Sequence, residues 1–187
     1  MPDDQTPYVT RSGAKLQHAL DTFGLAIEGF VCADLGSHQG GFVDCLLRHG
    51  AAKVYSVDTS YGTLVWRLRK DPRVVVMERT NAMHVTLPEP VDLVTIDVGW
   101  TRQRRVLPAA RALLKPGGRI VSLIKPQYES GESERQQGVV PDANLPAVLS
   151  RVRADVEECG LKLQTETPSP LRGGGGNAEA LFLLTAD

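Results

Sequence analysis

In this 187-residue chain, charged side chains recur at the ends of short apolar runs, where a side chain is more useful for chemistry than for packing. Asp97 closes the run Asp92 to Asp97, and Lys125 closes the run Arg119 to Lys125. An acid and a cation brought to one rim either pair structurally or move protons, and the sequence leaves both open. The stretch Asp34-Leu35-Gly36-Ser37-His38-Gln39-Gly40-Gly41-Phe42 follows another apolar run and opens a helical period. Its glycines permit left-handed backbone and close approach, so Gly36, Ser37, Gly40, Gly41 and Phe42 are candidates to receive a ligand at a helix N-terminus. The spacing is G-x-x-x-G-G and not the G-x-G-x-x-G of dinucleotide sites, so a pyrophosphate is not the natural guest. Asp58, 22 positions after Gly36, is placed to accept both hydrogen bonds of a ribose diol; alone it reads equally well as a helix N-cap. Asn81-Ala82 follows a third run, where the Asn81 amide meets an adenine edge or simply serves a turn. His38 has no partner cluster, so no metal is expected.

The elements that must position these residues follow from periodicity. Val-, Ile- and Leu-rich runs alternate with segments of helical period, the pattern of parallel strands joined by crossover helices. Seven strands are predicted: Phe30 to Leu35, Lys53 to Asp58, Val74 to Glu78, Asp92 to Asp97, Arg119 to Lys125, Lys162 to Thr167 and Ala180 to Thr185. Helices are predicted at Ser12 to Phe23, Gly41 to His49, Thr63 to Lys70, Arg102 to Leu114 and Pro146 to Cys159, with Pro116-Gly117-Gly118 ending the Arg102 to Leu114 helix. The last two strands lack a crossover between them and are therefore expected to be antiparallel. Six parallel strands and one reversed C-terminal strand make an α/β sheet of the class I, Rossmann-like methyltransferase type. Two irregular segments, Pro126 to Leu145 and Pro168 to Asn177, each follow a strand end and are candidate substrate walls.

Composition excludes several classes. Hydrophobic residues make up 42% and charged residues 23%, so the chain is neither disordered nor fibrous. The net charge of −1 advertises no overall basic field. Up to Lys125, however, there are 16 basic and 12 acidic residues, against 5 and 10 in the remainder; a polyanion should prefer the first part, unless the asymmetry is only solvated surface. Three cysteines without C-x-x-C spacing suit reduced thiols in a cytoplasmic protein. No apolar stretch approaches a membrane span.

Periodicity does not place Lys15 and Glu179, but a family resemblance does. Tyr8-Val9-Thr10-Arg11-Ser12-Gly13-Ala14-Lys15-Leu16, the Asp34 to Phe42 loop with Asp44-Cys45-Leu46, Gly50 to Asp58, Leu68 to Val74, Lys125-Pro126-Gln127-Tyr128-Glu129, Gly138-Val139-Val140 and Pro168-Ser169-Pro170-Leu171 resemble the TlyA, or hemolysin A, family of rRNA methyltransferases. These stand within the FtsJ-like RNA 2′-O-methyltransferases. The resemblance implies a single methyltransferase domain over residues 1–187, with 1–9 a flexible tail. It further implies S-adenosyl-L-methionine as cofactor and a Lys-Asp-Lys-Glu tetrad falling on Lys15, Asp97, Lys125 and Glu179. Lys125 would take the proton of a ribose 2′-hydroxyl, and alignment would supply much of the acceleration.

The chain departs from the family in places. Val98-Gly99-Trp100 replaces Leu-Ser-Phe after Asp97, and Trp100 either stacks a base or packs. His38 and Gln39 replace small residues. TlyA-type proteins carry an S4-like RNA-binding domain ahead of the first motif, and here about ten residues precede it. Phosphate contacts dominate RNA affinity, so Arg11, Arg102, Arg104, Arg105 and Arg172, with Arg111, are expected to supply them, or a partner protein does. The expected partner is RNA, ribosomal RNA or the ribosomal subunit above all, and no membrane. The alternative is a cofactor-binding, ribosome-associated protein that is not catalytic, or is so only with a partner.

Overall fold

Seven runs of β-branched and apolar residues assemble into one sheet in a computed structural model that describes residues 6–186. The strands are β1 (Val31–Leu35), β2 (Lys53–Val57), β3 (Val74–Met77), β4 (Val91–Ile96), β5 (Leu114–Ile124), β6 (Leu161–Pro168) and β7 (Ala180–Ala186). The helices are α1 (Ser12–Thr22), α2 (Gly41–Arg48), α3 (Trp66–Arg69), α4 (Gln103–Ala112), α5 (Pro126–Glu129) and α6 (Leu145–Glu158). The order across the sheet is β3-β2-β1-β4-β5-β7-β6. Strand β7 runs antiparallel to both β5 and β6, and the remaining pairs are parallel, so one strand alone is reversed.

Both faces of the sheet are covered, and the period-2 alternation of each strand divides its side chains between them. Cys32, Val54, Leu93, Val121 and Leu181 pack with Leu16, Ala19, Phe42 and Leu46 of α1 and α2. Ala33, Tyr55, Val94, Ile120 and Phe182 pack with Val106 and Leu107 of α4 and Val152 and Val156 of α6. The positions that continue the first alternation toward the strand ends are 34, 95, 97, 125 and 179, all polar. The parity that buries Cys32 and Leu93 thus aims these groups at α1 and α2.

Two predicted elements are corrected. The helix expected over Thr63 to Lys70 is confined to Trp66–Arg69. Ser60 bonds both Asp58 and Thr63, and Gly62 takes φ 75°, so the preceding residues form a turn. Pro116-Gly117-Gly118 does not end α4, which stops at Ala112. It lies inside β5, where Val91 pairs with Leu114 and Leu93 with Arg119. The surplus residues form an irregularity that Pro tolerates because it forgoes a ladder hydrogen bond there. Lys115, ahead of it, pairs with Asp92 at 2.9 Å.

Pro108 lies within α4 and withholds an N–H from the Arg104 carbonyl; the Cys159 thiol donates to that oxygen at 3.8 Å. The three cysteines are free.

Residues 1–5 of the expected flexible tail lie outside the described residues, but Tyr8 and Val9 are docked, contrary to that expectation. The Val9 N–H donates to buried Asp44 of α2 at 3.0 Å. Asp44 also accepts from Arg48 at 3.1 Å and Arg67 at 2.7 Å. Tyr8 packs against Gly13, where a Cβ would collide with its ring. Asp44 thereby fixes the chain leading into α1. Asp44→Ala should cost about 1–3 kcal/mol in urea unfolding, the range for a buried hydrogen-bonded group whose partners are left unmet. Limited proteolysis should then cut residues 6–11 faster than in wild type.

Candidate active site

The carboxyl ends of β1, β2 and β4 open onto a cleft of about 580 Å³, within the size of small-molecule sites. Of the residues expected at a cofactor site, Gly36, Ser37, Phe42, Asp58, Asn81, Ala82 and Asp97 line it, with Arg11, Lys15 and Lys125. Gly40 and Gly41 do not: both are buried beneath it. Their lack of side chains serves packing within the protein. A Cβ on Gly40 would collide with Leu68 Cδ1, and one on Gly41 with Ser12 Oγ. Gly36, at φ 91°, would place a Cβ 2.7 Å from the Asp97 carbonyl oxygen. The glycines let the turn fit under α1 and against β4.

Asp58 turns back toward the same turn. Its Oδ2 accepts the His38 N–H at 2.8 Å, and its Oδ1 accepts the Ser60 N–H and hydroxyl at 2.8 and 2.6 Å. Burial pushes its carboxyl up, but these bonds outweigh burial and hold it below the usual carboxylate range. Oδ1 is thereby filled, and Oδ2 keeps a lone pair for one ligand hydroxyl. Asn81 is both an N-cap and a cleft residue: its Oδ1 accepts the Met83 N–H at 2.9 Å, which leaves its NH₂ free to face the cleft.

The four residues of the proposed tetrad form two ion pairs. Lys125 Nζ meets Asp97 Oδ1 at 2.6 Å, with side chains 17% and 18% exposed, and reaches the Asp97 carbonyl at 3.3 Å. Lys15 Nζ donates to Glu179 Oε2 in a pair only 7% and 2% exposed. The first pair is open to a substrate and the second is sealed.

Among the basic residues, Arg11 borders the cleft. Arg102, Arg104 and Arg105 are exposed at the start of α4, and Arg172 pairs with Asp142 at 3.0 Å on the surface. Arg111 lies over Gly160 at the other end of α4. Trp100 is 90% exposed at φ 57°, with its ring centroid 5.2 Å from that of Tyr128.

Sequence reasoning passed over several residues. Thr10, Ser12, Gln39 and Thr80 border the cleft; the first three lie inside motifs that give them no cofactor or catalytic role, and Thr80 lies in none. Asp34 is fully buried there: Thr95 Oγ1 donates to its Oδ1 at 2.7 Å, while its Oδ2 has no hydrogen-bond partner among the described residues. Its signal was available, since it is the one charged residue inside the buried run Val31–Leu35. Glu129 is a second buried carboxyl of this kind. Its Oε1 accepts the Gln103 N–H at 2.8 Å at the start of α4, and Gln103 in turn bonds Ser122 at 2.7 Å. No cluster of three or more His, Cys, Asp or Glu suited to a metal occurs among the described residues.

A sheet of this order with an acid-tipped β2 and a glycine turn after β1 is the class I methyltransferase architecture. An S-adenosylmethionine-dependent methyltransferase from Mesorhizobium loti shares the fold, with a TM-score of 0.68 at 16% identity. The chain belongs to the FtsJ-like methyltransferase family, whose pattern matches residues 8–185. It is 42% identical over 97% of its length to the 16S/23S rRNA (cytidine-2′-O)-methyltransferase TlyA of Mycobacterium tuberculosis, of which it covers 70%. It is also 42% identical to the putative rRNA methyltransferase YqxC of Bacillus subtilis, over 95% of the chain, and spans 65% of that relative. A structure described as a putative hemolysin, from Streptococcus thermophilus, superposes with a TM-score of 0.94 at 36% identity, covering 99% of this chain and 70% of that one.

S-adenosylmethionine is the methyl donor of this class, and the cleft fits it. Asp58 Oδ2 retains acceptor capacity for a ribose hydroxyl, the volume suffices, and the unpaired buried oxygen of Asp34 suits a cationic ligand.

Asp34 and Glu129 share a further property. Burial pushes each carboxyl up to about 7, with Asp97 and Asp58 adding to the effect at Asp34 and Asp155 at Glu129. A carboxyl raised on folding favours the folded state below its unfolded value near 4, and that contribution is lost as pH climbs through about 7. Stability of the ligand-free protein should therefore fall across this window on account of these groups. Glu129→Gln cannot ionise, so urea midpoints measured from pH 4 to 8 should fall less steeply for it than for wild type.

Proposed function

We propose that this chain is an S-adenosylmethionine-dependent ribose 2′-O-methyltransferase acting on RNA, with ribosomal RNA as substrate, and that Lys15, Asp97, Lys125 and Glu179 carry the transfer. The observation behind this reading is the juxtaposition of the open Lys125–Asp97 pair with the sealed Lys15–Glu179 pair at one end of the cleft. TlyA, named for 2′-O-methylation of cytidine in rRNA, is similar over nearly the whole chain. The same reading places the protein in the cytoplasm with the ribosomal subunit as its partner. No helix among the described residues is long and apolar enough to cross a membrane.

When bound, S-adenosylmethionine supplies a methyl group on a sulfonium, ready for attack by an oxygen nucleophile. Asp58 and Asn81 hold the nucleoside end, and Gly36, Ser37 and Phe42 form the floor. Lys125 Nζ is the group that accepts the proton of the ribose 2′-hydroxyl. Asp97 fixes the position of that nitrogen through its carboxylate and carbonyl. Lys15, locked to Glu179, presents positive charge that favours the alkoxide as it forms. Arg11, Arg102, Arg104 and Arg105 face the RNA phosphates, and Trp100 offers its exposed ring to a base unstacked from the RNA.

Lys125→Ala should lower the methyl-transfer rate on total rRNA by about 10²- to 10⁴-fold, the usual worth of a general base, while calorimetric affinity for S-adenosylmethionine stays unchanged. Unaltered transfer would remove Lys125 from the mechanism, and absent transfer by wild type would favour a binding protein without turnover. Trp100→Ala should raise KM for RNA about tenfold, within the 1–3 kcal/mol of one stacked base. Trp100→Phe should restore most of that loss if stacking is the cause.

A further inference from the structure

The Asp34 carboxyl is the one carboxyl of the cleft that the proposed chemistry leaves without a task. It lies at the end of β1 beneath the site, 0% exposed, and only one of its oxygens is hydrogen-bonded, to Thr95. A buried carboxylate with an unpaired oxygen is costly, and no cationic side chain among the described residues pairs with it. The titratable groups sharing the cleft are Arg11, Lys15, His38, Asp58, Asp97 and Lys125. Lys15 and Lys125 are committed to Glu179 and Asp97, Arg11 and His38 are exposed, and the two aspartates add like charge. Ser56, the partner of Asp34 in the β1–β2 pairing, adds no charge.

We propose that Asp34 holds a proton in the ligand-free protein and releases it to solvent when a cationic group of the cofactor enters the cleft, so that binding of S-adenosylmethionine is coupled to Asp34 ionisation. The inference rests on the cofactor reading above and goes beyond it. The –COOH of Asp34 becomes –COO⁻, the proton passes to buffer, and the unpaired oxygen gains its partner. The elevation of this carboxyl to about 7 agrees with the geometry. By reciprocity, whatever expels the proton must bind more tightly once the proton is gone. Cofactor affinity should therefore rise with pH, approaching tenfold per unit below pH 7 and levelling above it. Asp34 then serves as a charge sensor for the cofactor, apart from the groups that act on RNA.

Calorimetric titration of S-adenosylmethionine at pH 7 in phosphate and in Tris, whose ionisation enthalpies differ, counts the protons released. About half a proton per cofactor is expected from wild type, because a group titrating near 7 is half protonated there, and none from Asp34→Asn. Heats independent of buffer in wild type, or equal release from Asp34→Asn, would overturn the coupling. S-adenosylhomocysteine lacks the sulfonium charge but keeps the ammonium: release with both ligands assigns the ammonium as the partner, and release with S-adenosylmethionine alone assigns the sulfonium. A readout that needs neither variant nor ligand is carboxyl carbon NMR of wild type labelled in aspartate. One aspartate should titrate near neutrality, and none doing so would refute the proposal even if Asp34→Asn failed to fold. Absence of any cofactor binding beside an intact aspartate titration would instead sink the cofactor reading, and the coupling with it.

Discussion

Two matched ion pairs, Lys15–Glu179 and Lys125–Asp97, sit where the strands of this sheet end, and much of the local architecture follows from holding them there. The parity that seats Cys32, Leu93 and Leu181 in the core carries Asp34, Thr95, Asp97, Lys125 and Glu179 to the same face. Water reaches this face poorly, so an isolated charge there would be unstable. Lys15 on α1 answers Glu179 across 164 positions of sequence, which ties the first helix to the reversed strand β7. That pair depends in turn on α1 being held against α2. Asp44 does this from beneath by gathering the Val9 N–H, Arg48 and Arg67. A buried pair of this kind is a weak source of stability but a strong constraint on arrangement, since losing one partner strands the other.

Strand and helix identities were legible because buried parallel strands read as continuous apolar runs, and six of the seven lie within a residue or so of where periodicity puts them. Strand β5 is the exception. Its Pro116-Gly117-Gly118 segment looks like a helix terminator, yet pairing of Leu114 with Val91 keeps the chain on the sheet. Local propensity gave way to a non-local contact. The same limit applies to Lys15 and Glu179: nothing in their neighbourhoods betrays a partner 164 residues away, and only the family resemblance placed them. Asp34 shows the reverse case, since a lone acid in a buried strand is readable as anomalous, but its unpaired oxygen is a fact of three-dimensional packing.

The glycine turn shows how a correct motif can carry an incomplete reason. Its spacing reads as room for a ligand, and Gly36 does border the cleft. Yet each of its three glycines is demanded by protein atoms: the Asp97 carbonyl, Leu68, and the Ser12 and Thr10 hydroxyls. Substitution would therefore disturb α1 and Asp97, two supports of the proposed tetrad, as well as any ligand lying on the turn. A loss of activity from such a variant would not by itself mark a cofactor contact.

The two ion pairs differ in exposure, and the difference suits the roles proposed for them. A group that exchanges a proton with a substrate must be reachable by it, and its partner must be able to yield. Lys125 and Asp97 keep nearly a fifth of their side-chain surface accessible and sit at the end of the strands beside Trp100 and the start of α4. Lys15 and Glu179 are almost wholly enclosed, with Gly173 so close that a Cβ there would stand 2.5 Å from Glu179 Oε1. Rearranging that pair would mean moving the loop before β7, which Asn177 fastens to Gly138 and Val140. On the proposed roles, the enclosed pair can thus hold a fixed field while the open pair meets the substrate, a division of labour that four equally exposed charges could not sustain.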